Sequence, residues 1–231
     1  MERLLRQGLG ALGLSDACVP ALVRYAELLT ERNRVMNLTA ITAPEDIAAL
    51  HFLDSAALLR EVPLGGASVI DVGTGAGFPG LVLRIAEPSL RLTLLDALGK
   101  RVDFLRDVCA DLGLTDVACV HGRAEEFAAD HRETFDCAVS RAVAPLPVLA
   151  ELCLPLVRVG GQFLAMKSVS SDEELSSARR AIGLLGGELV RTADYAIPGT
   201  EVRHRLIIIR KCRETPKKYP RIFAKIKKNP L

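Results

Sequence analysis

The sequence predicts an α/β fold in which helices cover both faces of a mostly parallel, seven-stranded sheet. From Ser68 onward, short runs rich in β-forming residues alternate with segments of helical length, which is the pattern of a parallel sheet with covering helices. The earlier runs are apolar throughout, as strands buried on both faces are. The last two runs lie only a few residues apart, so we expect them to pair antiparallel at one edge of the sheet.

The elements follow one another in a simple order. Residues 1–62 show no strand and are expected to form a helical extension, with helical spacing of apolar residues over 20–32 and 42–60 and a connector between them. A core over 63–211 holds the sheet, and a tail over 212–231 is expected to pack on or beside this core. The predicted strands are 68–73, 91–96, 117–122, 135–140, 161–167, 188–197 and 203–211.

The composition is that of a globular protein able to fold around its own apolar core. The 231 residues are 49% hydrophobic and 25% charged, and no apolar run approaches the roughly 20 residues that span a bilayer. The six cysteines are scattered without a Cys-x-x-Cys pair, so we expect reduced thiols and no metal site. The N-terminus lacks the features of a signal peptide. We therefore expect a cytoplasmic monomer without a membrane partner.

The charge is distributed unevenly along the chain. Residues 210–231 hold nine Lys and Arg against one Glu, and because the whole chain carries a formal net charge of +2, the remaining residues sum to −6. A basic tail on an acidic body favours a polyanionic partner. An aromatic residue also lies among the cations of the tail, a mixture that suits RNA. The candidate RNA contacts in the tail are Lys217, Lys218, Tyr219 and Arg221.

A glycine-rich stretch, VIDVGTGAGFPG (69–80), forms the end of the first predicted strand and the turn after it. A nucleoside triphosphate loop is excluded because no Lys follows the glycines. The dinucleotide pattern Gly-x-Gly-x-x-Gly can be placed at 75–80, but it then begins too far past the end of the strand. The pattern Asp-x-Gly-x-Gly-x-Gly is in register with the strand. Its candidate ligand-binding residues are Asp71, Gly73, Gly75 and Gly77.

This in-register pattern favours S-adenosyl-L-methionine, a nucleoside without phosphates. Glycines let backbone amides approach the amino-acid end of such a ligand, and we expect the carboxylate of Asp71 to meet its ammonium group. Asp96 ends the second predicted strand, where it is placed to accept hydrogen bonds from both ribose hydroxyls. The segment GRAEEF (122–127) follows the third strand, where the adenine is expected.

The acceptor of the methyl group is indicated mainly by what is absent. Carbon-5 methylation of a pyrimidine needs a covalent cysteine, usually in a Pro-Cys step, and the chain has none. The loop after the fourth strand, SRAVAPLP, lacks the Asn/Asp-Pro-Pro-aromatic motif of exocyclic amine methylation. A ring nitrogen such as guanine N7 already exposes a lone pair and needs no base. On these residues alone, an NAD-dependent dehydrogenase and a non-catalytic RNA-binding module remain alternatives.

Seven segments together resemble one known family. They are NLTAIT, HFLDSAALL, DVGTGAGFPG, GKRVDFL, GRAEEF, SRAVAPL and TPKKYPR, and their order and spacing are similar to those of the ribosomal RNA small subunit methyltransferase G family, also called glucose-inhibited division protein B. The resemblance implies a Rossmann-like class I S-adenosylmethionine-dependent methyltransferase of the bacterial cytoplasm. It also implies methylation of N7 of one guanine, guanine 527, in 16S rRNA. Naked RNA, the 30S subunit and an assembly intermediate all remain open as the substrate.

The resemblance also assigns site residues position by position. Those that it places at the cofactor are Gly73, Phe78, Asp96, Ala97, Leu98, Ala124, Glu125 and Arg141. Arg141, in SRAVA, is expected near the methionine end and the acceptor, and it is the one candidate for a catalytic role. Lys100 and Arg101 begin a helix beside the cofactor and are candidate phosphate contacts.

Three departures from the family pattern accompany these assignments. Arg32 stands where many relatives have Trp, Ala97 replaces the usual Ser after Asp96, and the tail lacks a glycine that many members carry. The pair His51 and Asp54, three residues apart on a predicted helix, has two interpretations. They face the cleft, or they form an ordinary pair on the helix surface.

Overall fold

The computed structural model describes all residues, 1–231, and contains one seven-stranded mixed sheet. The strand order is β3-β2-β1-β4-β5-β7-β6. Strands β1 to β5 are parallel, β7 is antiparallel to both of its neighbours, and β6 covers it at the outer edge. The strands are β1 (Ser68–Val72), β2 (Arg91–Asp96), β3 (Val117–His121), β4 (Phe135–Arg141), β5 (Val157–Ser168), β6 (Gly187–Ala196) and β7 (Arg203–Lys211).

Ten α-helices, some of them a single turn, surround the sheet, and none has the length and apolar composition needed to cross a membrane. A π-helical segment (Ile47–Leu53) joins the third to the fourth, and a 3₁₀ turn (Leu154–Leu156) precedes β5. The helices are α1 (Glu2–Ala11), α2 (Val19–Met36), α3 (Pro44–Asp46), α4 (Asp54–Glu61), α5 (Gly80–Ala86), α6 (Gly99–Asp111), α7 (Ala124–Phe127), α8 (Leu146–Cys153), α9 (Asp172–Leu184) and α10 (Phe223–Lys228).

The fold confirms the predicted α/β class, and each predicted strand overlaps an observed one. Most strand ends agree with the prediction to within one residue, and two boundaries differ by several residues. Strand β5 begins at Val157 rather than at Gly161, because the chain bulges at Gly160 (φ +87°) and then continues in the sheet. Helix α2 continues to Met36 and so takes up the first part of the predicted connector. It ends where Asn37 adopts a left-handed conformation (φ 49°).

The core consists of two apolar clusters, one on each face of the sheet. The first contains 41 buried residues, and α1, α2 and the π-helical segment contribute to it together with α5 and α6. The second contains 27 buried residues, mainly under α8 and α9, and includes side chains of the C-terminal tail. The helical extension therefore shares one apolar cluster with the sheet.

The C-terminal tail is anchored on the second face of the sheet. Tyr219 and Ile226 are buried in the second apolar cluster. Arg221 donates from Nη2 to Oε2 of Glu151 at 2.6 Å and from Nε to Oε1 at 2.8 Å, and the Glu151 carboxylate is completely buried. The neighbouring Lys217 is exposed. The tail thus combines residues that hold it to the core with residues that face solvent.

Replacing Arg221 with Met tests this anchor. The change removes the guanidinium that neutralises a fully buried Glu151, so we expect the free energy of unfolding in urea to fall by about 3 to 5 kcal/mol. Adding Glu151→Gln is expected to recover part of the loss, because a neutral amide costs less to bury than a carboxylate. The control is Lys225→Met at an exposed position of the same tail. Equal losses in the two single variants would contradict the anchor.

Candidate cofactor and acceptor site

The glycine-rich loop connects β1 to α5 at the carboxyl end of the sheet. Strand β1 pairs with β2 on one side and β4 on the other, which is the point where open α/β sheets bind ligands. Gly73, Gly75 and Gly77 have positive φ angles of 73°, 62° and 103°, a conformation that favours glycine. A Cβ atom on Gly73 would lie 2.6 Å from Cγ2 of Val143. The loop and the β4–α8 connection therefore touch without room for a side chain.

Asp71 holds this loop from behind. Its Oδ2 accepts hydrogen bonds from Thr74 Oγ1 at 2.7 Å and from the Gly80 amide at 2.8 Å. The side chain is completely buried, and burial raises its pKa to about 6. Because Asp71 does not line the cavity in front of the loop, the expectation that it meets the ammonium group of a ligand is not supported by the geometry. Its visible role is to fix the two ends of the turn.

The amides of the three loop glycines are also used inside the protein. Those of Gly73 and Gly77 donate to main-chain carbonyls, and that of Gly75 donates to Oδ2 of Asp96 at 2.9 Å. The sequence led us to expect glycine amides that are free to bind a ligand, but all three already donate within the protein. The loop N–H without an acceptor in the protein is that of Ala76, which lines the cavity. The glycines serve the shape of the turn rather than direct binding.

Asp96, at the end of β2, lies on the cavity and connects two loops. Its Oδ2 accepts the Gly75 amide, and its Oδ1 accepts the Leu98 amide at 2.9 Å. Arg101 Nη1 lies 3.6 Å from Oδ2. Each carboxylate oxygen has lone pairs for more than one hydrogen bond, so both oxygens keep acceptor capacity for ligand hydroxyls. Ala97 and Leu98 line the cavity beside it.

A cavity of about 870 Å³ extends from Asp96 across the loop to the far strands, near the upper end of the usual size for small-molecule sites. One half is formed by the glycine-rich loop and the β2–α6 connection. The other half lies between the helical extension and the ends of β5 and β7, and its residues are Leu38, Thr39, Ile41, Leu50, His51, Asp54, Met166, Lys167, Ser168, Val202 and His204. We refer to the two parts as the loop half and the far half.

Arg141, at the end of β4, lies where the two halves meet. Its Nη1 donates to Oδ2 of Asp54 at 2.8 Å, and its Nη2 lies 3.2 Å from Nδ1 of His51. The guanidinium carbon is 5.0 Å from the centroid of the Phe78 ring. The residue after it, Ala142, has a positive φ of 55°, a conformation that non-glycine residues adopt mostly in turns and at functional sites. His51 and Asp54 thus face the cleft, which decides between their two interpretations.

The protonation state of His51 follows from its partners. Because a guanidinium only donates, Nδ1 of His51 accepts from Arg141 and Nε2–H donates to Thr39 Oγ1 at 2.8 Å. Burial and the charge of Arg141 lower the pKa of His51 to about 4, so the ring is neutral at neutral pH. It stacks on Phe78 with ring centroids 4.3 Å apart, and in this way it connects the extension to the loop.

Asp54 is the centre of this polar cluster. The residue is buried, and Oδ1 accepts from Tyr195 Oη at 2.9 Å and from His204 Nδ1 at 2.8 Å, while Oδ2 accepts from Arg141. Burial by itself raises the pKa of Asp54, but the hydrogen bond from His204 and the charge of Arg141 outweigh it and hold the pKa below its ordinary value. Tyr195 and His204 were not among the residues that the sequence singled out.

Other predicted cofactor residues lie outside the cavity lining. Gly77 packs behind the loop, where a Cβ would lie 3.0 Å from Leu105. Ala124 and Glu125 begin α7 after β3, and Oε1 of Glu125 accepts the Phe223 amide at 3.3 Å. The cavity does include Gly73, Gly75, Phe78, Asp96, Ala97, Leu98 and Arg141.

The candidate RNA contacts separate into exposed and buried groups. Lys217 and Lys218 are exposed. Tyr219 is buried and Arg221 is bound to the buried Glu151, so this geometry does not support the prediction that these two contact RNA. An aromatic residue between cations also suits an anchor, since Lys218 covers its ring at 5.2 Å. The remaining two candidates lie at the start of α6: Lys100 is exposed, and Arg101 lines the cavity.

This sheet order, with a glycine-rich loop after β1 and an acid at the end of β2, defines a class I methyltransferase fold. Solved structures support the fold. TrmN from Thermus thermophilus matches with a TM-score of 0.53 at 20% identity, over 68% of this chain and 48% of that one. Precorrin-6y C5,15-methyltransferase from Geobacter metallireducens matches with a TM-score of 0.51 at 16% identity, over 68% and 87%.

Sequence comparison then identifies the family. The family model described as rRNA small subunit methyltransferase G matches residues 19–201. Proteins named ribosomal RNA small subunit methyltransferase G are 46% identical in Clostridium botulinum, over 95% of this chain and 93% of the relative, and 45% identical in Alkaliphilus oremlandii, over 100% and 99%. The chain belongs to the rRNA small subunit methyltransferase G family. The resemblance noted from its seven segments is confirmed, and the chain is a methyltransferase.

Replacing Asp71 with Asn tests the buried carboxylate through pH. An unfolded Asp loses its proton near pH 4, whereas the pKa of Asp71 is raised to about 6 in the folded state. Between these values the folded chain holds a proton that the unfolded chain lacks, so this group lowers the free energy of unfolding as pH rises from about 4 to about 6. In the parent chain this group lowers the free energy of unfolding by about 2 kcal/mol over that pH range. We expect Asp71→Asn, which keeps an acceptor oxygen for the loop, to lack this decrease.

Urea unfolding of both proteins from pH 4 to 7.5 measures this difference. The control is Asp103→Asn, an exposed carboxylate on α6, whose stability curve should run parallel to that of the parent chain. If Asp71→Asn also ran parallel, the carboxylate would not be perturbed as the structure indicates.

Proposed function

We propose that this chain transfers the methyl group of S-adenosyl-L-methionine to N7 of guanine 527 in the 16S rRNA of the small ribosomal subunit. Family membership supports the rRNA substrate. The observation that carries the proposal is one cavity of about 870 Å³ that joins the glycine-rich loop and Asp96 to the far half, a volume that suits a nucleoside cofactor together with a second ligand. An RNA substrate places the reaction in the cytoplasm.

The loop half fits the cofactor in several respects. Asp96 keeps acceptor capacity on both oxygens, which suits the two ribose hydroxyls. Ala97 and Leu98 provide an apolar rim for the adenine. A Cβ on Gly75 would project into open space, so the backbone itself is accessible there. The unbonded N–H of Ala76 is available to the methionine carboxylate.

The reaction needs alignment more than acid–base chemistry. The bound cofactor supplies a methyl group on a positively charged sulfur. The N7 lone pair forms the new bond to carbon as the bond from carbon to sulfur breaks, and the positive charge passes to the purine without proton transfer. The protein therefore contributes by holding the two reactants in line and by excluding water. Arg141, fixed by Asp54 and Phe78 between the halves, is the residue that we assign to positioning.

The remaining polar groups are arranged for support. Both oxygens of Asp54 are occupied by donors from three strands, and the neutral His51 uses both ring nitrogens. Neither is free to remove a proton, which agrees with an acceptor that has no proton to lose. Phosphate contacts are assigned to the exposed Lys100, Lys217 and Lys218 and to Arg101 at the cavity edge.

Mass mapping of methylated guanines tests the proposal. Incubation with labelled cofactor and unmodified 30S subunits or naked 16S rRNA is expected to place one methyl group at N7 of one guanine. Asp96→Asn is expected to weaken S-adenosylhomocysteine binding by about 10- to 100-fold, because each ribose hydroxyl loses a charged acceptor. The control is Asp103→Asn on the exposed face of α6. No methylation by the parent chain, or methylation at another atom, would overturn the proposal.

The salt dependence of RNA binding tests the tail. Replacing both Lys217 and Lys218 with Gln is expected to weaken RNA binding and to reduce the slope of log K against log salt by about 0.7 to 0.9 for each phosphate that is no longer neutralised. Cofactor affinity should stay unchanged. Arg179→Gln with Arg180→Gln, on the exposed face of α9, removes the same charge elsewhere and should leave the slope near that of the parent chain. Equal effects of the two pairs would mean that only net charge matters.

A further inference from the structure

The far half of the cavity contains a histidine to which the reaction described above gives no role. His204, at the start of β7, lines this half, and 32% of its side chain is exposed. The walls around it include Leu38, Ile41 and Met166, apolar side chains that suit the faces of a flat base. The imidazole ring therefore lies where it can contact the edge of an inserted base.

The hydrogen bond to Asp54 fixes what this ring can offer. His204 Nδ1 lies 2.8 Å from Oδ1 of Asp54. Because an ionised carboxylate only accepts, Nδ1 carries a hydrogen, and Nε2 is the ring nitrogen that is left for a ligand. Nε2 makes no hydrogen bond within the protein, and Asp54 is itself held by Tyr195 and Arg141. The ring is therefore held in one orientation, with Nε2 left without a partner in the protein.

Neighbouring polar groups of the far half are already engaged or are donors. Lys167 Nζ donates to the Ala144 carbonyl at 2.7 Å and pairs with Glu174. Ser168 Oγ lies 3.0 Å from Ser170 Oγ. Nε2 of His204 is a ring nitrogen on the lining of this half that makes no hydrogen bond within the protein.

We propose that His204 acts with its hydrogen on Nδ1 and a lone pair on Nε2, and that Nε2 accepts the N1–H of the target guanine and thereby selects guanine and assists the transfer. This inference rests on the proposed function. Methylation at N7 places positive charge on the purine, which makes N1–H a stronger donor, so the hydrogen bond strengthens as the transition state forms. Adenine has a lone pair at N1, which would face the lone pair of Nε2. The same contact therefore discriminates against adenine.

Two substitutions separate this role from a structural one. In His204→Asn the amide N–H can still donate to Asp54, but the acceptor at the Nε2 position is lost. We expect the single-turnover rate at saturating cofactor to fall by about 10- to 100-fold, with S-adenosylhomocysteine affinity unchanged. In His204→Gln the side-chain oxygen can reach the Nε2 position, and part of the rate should return. The control is His131→Asn, since His131 stacks on Phe127 away from the cavity.

An altered base tests the partner atom. RNA with 2-aminopurine at the target position keeps N7 but lacks N1–H, and the parent chain should methylate it more slowly than guanine. In His204→Asn, replacing guanine with 2-aminopurine should slow methylation much less, because the hydrogen bond is already missing. Additive losses, or a parent-like rate for His204→Asn on guanine, would overturn the inference. Failure of the parent chain to methylate guanine would instead refute the proposed function itself, so the two failures are distinguishable.

Discussion

The buried carboxylate of Asp54 constrains the whole site. A buried carboxylate costs several kcal/mol unless donors surround it, and here Arg141 from β4, Tyr195 from β6 and His204 from β7 all donate to it. Asp54 itself begins α4 of the helical extension. The helical extension, β4 and the β6–β7 hairpin are distant in the chain and must therefore meet to satisfy one side chain. The extension belongs to the site for this reason, since the far half of the cavity closes only where it meets the sheet.

A second connection joins the extension to the glycine-rich loop. Phe78 lies against the rings of His51 and Tyr25, at centroid distances of 4.3 and 5.6 Å, and Tyr25 donates its hydroxyl to the Ala76 carbonyl. Offset aromatic contacts of this kind contribute beyond the area they bury. The loop is thus held by Asp71 from behind and by the extension from the side. Its shape depends on residues far upstream, although its own sequence is that of a self-contained turn.

These contacts explain which parts of the site could not be predicted from the sequence. The strands and the glycine-rich loop were predictable because apolar runs, glycine spacing and strand-end acids are local patterns. The far half was not, because Asp54 and His204 are 150 residues apart and no spacing relates them. The same reasoning applies to Asp71. An acid at the end of a strand is typical of a ligand contact, and only its hydrogen bonds to Thr74 and Gly80 show that it is turned away from the cavity. The resemblance to a family assigned Arg141 to the cofactor and acceptor side of the site, but it did not assign Asp54, Tyr195 or His204.

The tail shows why charge in a sequence overstates charge at a surface. Arg221 of the tail is neutralised by Glu151, and Lys211, which ends β7 just before the tail and has a fully buried side chain, lies 3.1 Å from Glu133. These pairs stabilise the packing of the tail and contribute little field to solvent, because each buried cation faces a buried or nearly buried acid. The exposed lysines retain their charge for a phosphate backbone. A basic segment can therefore hold itself to the core with some residues and leave others exposed to solvent, and only burial distinguishes them.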